Sequence, residues 1–363
     1  MKVLSIGLDN SILDKNSHLA GRAVEYGEMV DKYVVIVPAD KDRKVILSGK
    51  ADAYGVGGMV KLVKLVRLYK LGKKLLRKDK FDIITVQDQY YLGWIGLKLA
   101  RKFKIGIEIQ AHGFEKYKGL RKLIAKYVIS NAGVIRTVSQ RLKKHLIKEF
   151  GVDESRITVV PIYTNIALTT GLPRRSASRP PRNDIVFLTI GRLVPVKNIE
   201  MQIRAMAEVV KKHKNVELLI VGDGNEMENY KLQITNYELE GRVKLLGWQE
   251  YLSEFYKKVD AFLLTSNTEG WGLVVIEAAS FGLPIIMTDV GCAGETIKDG
   301  ESGIVIPVGD QKALEEAMIK LIEEPELREK LGQGARRAVE KLPSEEETLK
   351  LYKKSWNMAR NNI

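Results

Sequence analysis

"AFLLTSNTEGWGLVVIEAASFGLPIIMT", residues 261–288, decides the fold of this chain. It reads as an apolar strand over 261–265, a polar loop "NTEGWG", a helix over 272–281 and, after Gly-Leu-Pro, a second apolar strand over 284–288. Two buried strands joined through a helix run parallel, because such a crossover carries the chain back to the edge of the sheet from which it left. The unit contains two glutamates, Glu269 and Glu277. An exposed helical glutamate is the bland reading of Glu277. Val274, Val275, Ile276, Ala278 and Ala279 around it predict a buried helix instead, and a buried carboxylate needs a partner such as a ligand hydroxyl.

The same alternation extends through the chain. Strands are expected near 2–8, 33–38, 82–87, 104–111, 133–138 and 157–161, with helices near 17–30, 59–78, 90–103, 117–130 and 139–150. After residues 166–182, "IALTTGLPRRSASRPPR", which carry neither period, it restarts. Strands near 185–190, 216–221, 242–246, 261–265, 284–288 and 303–308 then alternate with helices near 198–213, 225–236, 272–281, 310–323 and 326–340. The predicted class is α/β, with two Rossmann-like doubly wound domains facing across a cleft. The expected division is an N-terminal domain over 1–165, a linker over 166–182, a second domain over 183–342 and a C-terminal helix over 343–363 able to pack back on the first domain. Ser344, three residues before Glu347, has the spacing of a capping box for that helix.

At 363 residues with 45% apolar content the chain is long enough for two cores. One cysteine, Cys292, excludes a disulfide framework. The apolar start reads as a strand rather than a signal peptide, and no run approaches the ~20 residues needed to span a bilayer, so a cytoplasmic protein, soluble or peripheral at the membrane face, is expected. The net charge of +14 is uneven: residues 1–170 hold 32 Lys and Arg against 16 Asp and Glu, leaving 27 against 29 for the remainder. Such a field suits nucleic acid, an anionic membrane or phosphorylated substrates.

Three further stretches could carry chemistry. "TIGRLVPVKNIE", 189–200, ends a strand at Gly191 and turns through Arg192 and Lys197, which could clamp two phosphates; a solvated basic turn is the alternative. "LLIVGDGNE", 218–226, places Gly222 and Gly224 before a helix, a pattern that many merely tight turns share. "EIQAHGFEKY", 108–117, brings His112 to the end of a strand, where a lone histidine is more often structural.

Taken in order, Gly-Arg-Leu-x₃-Lys-Asn at 191–198, Gly-Asp-Gly at 222–224, Leu-Gly at 246–247, Glu-Gly-Trp-Gly-Leu-x₃-Glu-Ala at 269–278, Gly-Leu-Pro-Ile at 282–285 and Gly-Glu-x-Ile-x-Asp-Gly-x-x-Gly at 294–303 resemble the retaining GT-B glycosyltransferases of family four, the glycosyl transferases group 1. The match is in register over 185 to about 310 and looser in the first half. It implies a hexosyltransferase that takes a UDP- or GDP-sugar as donor and a saccharide or lipid-linked acceptor. Arg192 and Lys197 would neutralise the diphosphate. Glu277 would hold the ribose hydroxyls and Glu269 the transferred sugar. The amides of Gly270, Trp271, Gly272 and Leu273 would meet sugar hydroxyls and the β-phosphate, and Gly191 would allow close approach. The base would lie near Gly222 and the Leu246-Gly247-Trp248 turn, with Gly224 a further donor-binding position. His112 would position the sugar.

No cofactor or metal is expected: no Asp-x-Asp pair is read after a strand, and the candidates "DKD" at 40–42 and "DQ" at 88–89 are read as lacking that form. Many relatives carry a Gly-Gly turn in the first loop, where this chain has "DKNSHLAGRAVEY". There a helix cap at Asn16 or Ser17 competes with an acceptor or phosphate contact through Gly21 and Arg22. Residues 57–81 form an amphipathic helix with Leu62, Leu65, Val66, Leu68, Tyr69, Leu75 and Leu76 on one arc and Lys64, Arg67, Lys70, Lys74, Arg77 and Lys78 on the other. Its apolar arc could simply pack on the sheet. The one-sided charge also suits an anionic leaflet that presents the acceptor. A nucleotide-sugar epimerase on the same fold is one alternative reading. A basic nucleic-acid-binding protein is another, disfavoured because no interleaved exposed aromatics or nucleic-acid module appear.

Overall fold

A computed structural model describes residues 1–114, 119–163 and 184–362, so the strap at 166–182 lies outside the described residues. The chain divides into two compact units, Met1–Pro161 with Glu346–Ile363, and Ile162–Glu345.

The first unit runs β1 (Lys2–Ile6), α1 (His18–Glu28), β2 (Lys32–Pro38), β3 (Arg43–Ile46), β4 (Ala51–Val56), α2 (Lys61–Lys78), β5 (Ile83–Val86), α3 (Tyr91–Phe103), β6 (Gly106–Ala111), α4 (Leu120–Asn131), β7 (Val134–Thr137), α5 (Gln140–Phe150) and β8 (Ile157–Val159). Its eight strands lie in the order β3-β4-β2-β1-β5-β6-β7-β8 and are parallel except for β3 against β4. That hairpin is absent from the sequence expectations. β3 is Arg-Lys-Val-Ile with only Val45 buried, and β4 contains Ala, Asp and Gly, so neither presents an apolar run. Asp40 and Asp42, which do stand in Asp-x-Asp form just after β2, are engaged with cations: Asp42 accepts from the Gly57 amide at 2.9 Å and pairs with Arg67, and Asp40 lies 3.7 Å from Lys64.

The second unit follows with β9 (Ile185–Ile190), α6 (Ile199–Lys212), β10 (Val216–Val221), α7 (Met227–Asn236), β11 (Val243–Leu245), α8 (Ser253–Lys258), β12 (Ala261–Leu264), α9 (Leu273–Ser280), β13 (Ile285–Thr288), β14 (Ile304–Ile306), α10 (Gln311–Glu323) and α11 (Pro325–Val339). The sheet order is β11-β10-β9-β12-β13-β14, all parallel. Phe187, Met206, Leu218, Leu263 and Ile286 pack in its core. The six-residue α8 was not anticipated, since one and a half turns leave no readable period; it is anchored by buried Tyr256.

The last helix, α12 (Glu345–Asn361), belongs to the first unit. Its Trp356 stacks on Tyr33 at 5.9 Å and meets Tyr26 edge-on at 5.8 Å, which buries both Trp356 and Tyr352 against β1 and β2. A Cβ at Gly106 would stand 2.0 Å from the Ala359 carbonyl, so β6 must start with glycine for the helix end to sit there.

The helix α2 divides along its length. Leu68, Gly72 and Leu76, four apart, are buried against the sheet and α3. Leu62 and Val66 of the same arc are 70% and 48% exposed, so the expectation that the apolar arc packs on the sheet holds only for its second half.

Candidate functional site

Parallel strands send all their following loops to one edge of the sheet, and the order β10-β9-β12 makes the loops after those three strands neighbours. After β9 the chain leaves through Gly191, makes a short 3₁₀ turn over Pro195–Lys197 and enters α6 through Asn198, whose φ of 48° is left-handed. The aliphatic stem of Lys197 passes over Gly191, its Cε 3.7 Å from where a Cβ would lie. Its ammonium group pairs with the Glu269 carboxylate from the loop after β12. Ser266 Oγ donates to the same carboxylate oxygen at 2.8 Å. Arg192, in the same turn, is exposed.

A buried polar clamp sets this turn. Gln202 Nε2 of α6 donates to Thr265 Oγ1 at 2.8 Å, and Thr265 Oγ1 lies 3.2 Å and 3.0 Å from the carbonyls of Lys197 and Asn198. The Asn267 amide adds a bond to the Val196 carbonyl at 2.8 Å. Thr265, Gln202 and Ser266 were missed in the sequence. A polar residue closing an apolar strand, Thr265-Ser266, is the only local signal they give.

The helix α9 starts at Leu273, after Gly272 with φ 89°, a left-handed backbone that favours glycine. It is buried at Val275, Ile276, Ala278 and Ala279 as its composition demands. Glu277, on its less apolar side, is half-buried, and Tyr256 of α8 donates its hydroxyl to Glu277 Oε2 at 2.8 Å. Burial raises the Glu277 pKa and the tyrosine bond partly offsets the rise. Tyr256 is a further group that sequence reasoning missed, because α8 itself was not read. Trp271 is buried with its carbonyl bonded to the Cys292 amide, and Gly291 must be glycine there: a Cβ would lie 2.6 Å from that carbonyl and 3.1 Å from Glu269 Cβ.

Gly222 and Gly224 have a packing reason for being glycine. A Cβ at Gly222 would lie 1.8 Å from the Gly191 carbonyl, and one at Gly224 would lie 2.2 Å from the Leu193 carbonyl. The Gly222 amide in turn donates to the Gly247 carbonyl at 2.8 Å and the Leu193 amide to the Asp223 carbonyl at 2.8 Å, which together join the loops after β9, β10 and β11. Gly247 is left-handed at φ 67°, and the adjoining Trp248 is 71% exposed. Gly191, Lys197, Glu269, Gly222 and Gly247 are therefore brought to one edge of one sheet.

His112, Gly21 and Arg22 belong to the first unit. Ser17, not Asn16, caps α1, accepting from the Ala20 amide at 3.1 Å. Gly21 is in the first turn of α1 with open space around its Cα. His112 directly follows β6, and the residue is exposed. Partial desolvation by the surrounding protein, joined by the guanidinium groups of Arg136 and Arg22, disfavours the imidazolium and pushes its pKa down to about 4.

Residues 174–338 match the family described as Glycosyl transferases group 1, and residues 35–165 match Glycosyltransferase Family 4. An uncharacterized glycosyltransferase of Methanocaldococcus jannaschii is 31% identical over 323 residues, spanning 76% of this chain and 79% of the relative. The UDP-Gal:alpha-D-GlcNAc-diphosphoundecaprenol alpha-1,3-galactosyltransferase of Escherichia coli is 29% identical over 275 residues, 72% of this chain and 70% of its own. Among solved structures, sucrose-phosphate synthase from Thermosynechococcus elongatus is similar with a TM-score of 0.82 at 20% identity, over 98% of both chains. Anabaena HepE in complex with UDP has a TM-score of 0.78 at 19% identity, again over 98% of both chains. At such identities the structural likeness speaks for the fold alone, which is GT-B. With two doubly wound sheets and a sequence match that runs through most of both, the chain belongs to the group 1 glycosyl transferases, enzymes of the GT-B fold that transfer glycosyl groups.

Proposed function

We propose that this chain moves a hexosyl unit from a UDP- or GDP-sugar to a saccharide or lipid-linked acceptor, with retention at the anomeric carbon and without a divalent ion. The observation that carries the reading is the Lys197–Glu269 pair lying over Gly191 at the carboxyl edge of an all-parallel sheet. Lys197 has three donors, so it can keep Glu269 while it turns another to a phosphate. Arg192 supplies the second cation. As the glycosidic bond breaks, the diphosphate gains negative charge and the anomeric carbon becomes cation-like, so fixed cations at the one and a carboxylate at the other favour the transition state over the ground state. Two such cations take the part that a metal plays elsewhere.

In this reading Glu277 accepts from the ribose hydroxyls through the oxygen that Tyr256 leaves available, and those bonds ease its buried charge. The amides of Gly270 to Leu273 meet the β-phosphate and sugar hydroxyls. The base lies by Gly222, Gly224, Gly247 and Trp248. His112 positions the sugar, and Gly21 with Arg22 contacts acceptor or phosphate. UDP in the HepE structure supports a uridine donor, and the diphosphoundecaprenol in the E. coli relative's name supports a lipid-linked acceptor.

The surface of the first unit supports such an acceptor at an anionic leaflet. The exposed first half of α2, together with α3 and α4, lines an apolar groove of about 600 Å³ that includes Leu62, Val66, Tyr69, Trp94 and Ile124. Lys98 Nζ lies 3.6 Å over the Trp94 ring at its lip. Along the second half of α2, Lys70, Lys73, Lys74, Arg77 and Lys78 cluster, and the nearby Arg77 and Lys102 lower the Lys73 pKa, the sign of a surface crowded with like charge. An apolar face bordered by cations fits a membrane interface. No helix among the described residues is long and apolar enough to cross a membrane.

Thermal-shift titration with UDP-, GDP- and ADP-sugars tests the donor, since 100-fold excess over Kd stabilises by about 2.7 kcal/mol. A shift for one nucleotide series, lost in Glu277→Ala and Lys197→Ala, is expected. Equal indifference to all three series would overturn the reading. Turnover abolished by chelator would overturn its metal-independent part.

A further inference from the structure

A line of buried polar side chains leads from the core of the first unit to His112, and it determines which nitrogen of that ring carries the proton. It starts at the ion pair of Arg136 and Glu108, whose side chains are 3% and 0% exposed. Arg136 Nε donates to Glu108 Oε1 at 2.8 Å, and Ser355 Oγ of α12 donates to Oε2 at 3.1 Å. A carboxylate paired with a guanidinium only accepts, so the Thr85 hydroxyl, 3.2 Å from Oε1, must donate to it. With its proton committed, Thr85 Oγ1 can only accept from its other neighbour, the Gln110 side chain at 2.8 Å. The Gln110 amide nitrogen is therefore turned to Thr85 and its carbonyl oxygen to His112, 3.1 Å from Nε2. A carbonyl oxygen accepts, so Nε2 must be the protonated nitrogen. Among the described residues nothing else hydrogen-bonds to the ring, so Nδ1 is left bare, an acceptor.

We propose that Thr85 and Gln110 are positioning residues for glycosyl transfer: they hold His112 as the neutral Nε2–H tautomer, so that Nδ1 accepts a hydrogen bond from a sugar hydroxyl and offers no proton to the departing phosphate. This rests on the reading of His112 as a sugar-positioning group, and it adds the source of the ring's orientation and the direction of its hydrogen bond. Thr85 and Gln110 each have one arrangement only, because the carboxylate at the inner end can only accept and every donor and acceptor outward from it is fixed in turn. Thr85, Glu108 and Gln110 are all buried, so water does not compete for the bonds among them, and the Gln110 amide reaches the exposed His112 already oriented.

The test is ¹⁵N NMR of the full chain labelled at histidine, with His112 identified among the four histidines by its loss in His112→Gln. The expected spectrum between pH 6 and 8 has Nε2 in the protonated range and Nδ1 in the bare range. In Thr85→Val the Gln110 amide loses the acceptor that orients it and can turn its nitrogen to the ring, so the two tautomers should mix; Thr85→Ser should restore one. kcat/KM for the donor should fall by about 10-fold or more in Thr85→Val, with recovery in Thr85→Ser. A bare Nε2 in the unaltered protein would overturn the proposal, and so would a folded Thr85→Val with an unchanged His112 spectrum. The NMR readout needs no donor, so the tautomer stands or falls separately from the proposed reaction. A correct tautomer with activity indifferent to Thr85→Val would overturn the positioning role alone.

Discussion

Lys197→Met keeps the aliphatic stem over Gly191 and removes only the charge. The side chains of Lys197 and Glu269 are 19% and 14% exposed, which places their pair between a surface ion pair and a buried one. Surface pairs contribute ~0–1 kcal/mol, and breaking a buried pair costs ~3–5 kcal/mol because one charge is left without its partner. Glu269 retains Ser266 Oγ at 2.8 Å and some water. A loss of about 2 kcal/mol in stability follows, readable as a lower urea midpoint at constant slope. The effect on chemistry should be larger. Removing a fixed group that meets developing charge lowers kcat by about 10²–10³-fold, or ~2.7–4 kcal/mol of transition-state stabilisation. The double variant Lys197→Met/Glu269→Gln separates the two effects, since it removes the stranded carboxylate charge without restoring the cation. Its urea midpoint should return most of the way to that of the unaltered protein while turnover at saturating donor stays at least about 10²-fold down. A double variant that regains turnover would refute the assignment of Lys197 to the leaving group, as would a single variant within a few-fold of the unaltered rate.

Tyr256→Phe removes the donor to Glu277 Oε2, so donor affinity should weaken by about tenfold, ~1.4 kcal/mol by calorimetry. Burial already holds the Glu277 pKa above its ordinary value, so the native carboxyl keeps a proton that the unfolded chain has released, and stability falls as pH rises through that window. Loss of the tyrosine bond should extend the fall to higher pH in a denaturation series. Gly222→Ala places a Cβ 1.8 Å from the Gly191 carbonyl at φ 139° and should destabilise by about 3 kcal/mol or more. Gly21→Ala meets open space in a helix and should stabilise by ~0.5–1 kcal/mol, so a drop in turnover without a drop in melting temperature would reveal a contact with acceptor or phosphate. For His112, whose native pKa of about 4 lies below its ordinary 6.5, the unfolded chain gains a proton first as pH falls. Stability should therefore decline from pH 6.5 towards 4, and His112→Gln should flatten that part of the curve. Leu62→Asp with Val66→Asp should release the protein from anionic vesicles in flotation at low salt, and binding that persists would count against the α2 groove as a membrane contact.

The long parallel strands and the helices between them were legible because burial on both faces of a sheet forces continuous apolar runs, and "IVFLTI" or "VELLIV" can hardly be read otherwise. β3, β4 and α8 were not. Their identity depends on neighbours: β4 is a strand because β2 lies beside it, and α8 is a helix long enough only to seat Tyr256. The apolar arc of α2 shows the same limit, since a periodicity of 3.6 says which residues share a face and not how much of that face finds something to cover it.

Within the candidate site, residue types and spacing picked out Gly191, Lys197, Glu269 and Glu277 from the chain itself, because a strand followed by glycine, cations or carboxylates is a local pattern. That Lys197 meets Glu269, 72 residues away, follows only from strand order, which places β9 beside β12. Strand order likewise carries Thr85, Glu108 and Arg136 from three successive strands, β5, β6 and β7, into one hydrogen-bonded line ending at His112. A sequence fixes which groups are available and in which element each sits. Which of them touch depends on how the sheet is ordered, and so does the direction in which each proton points.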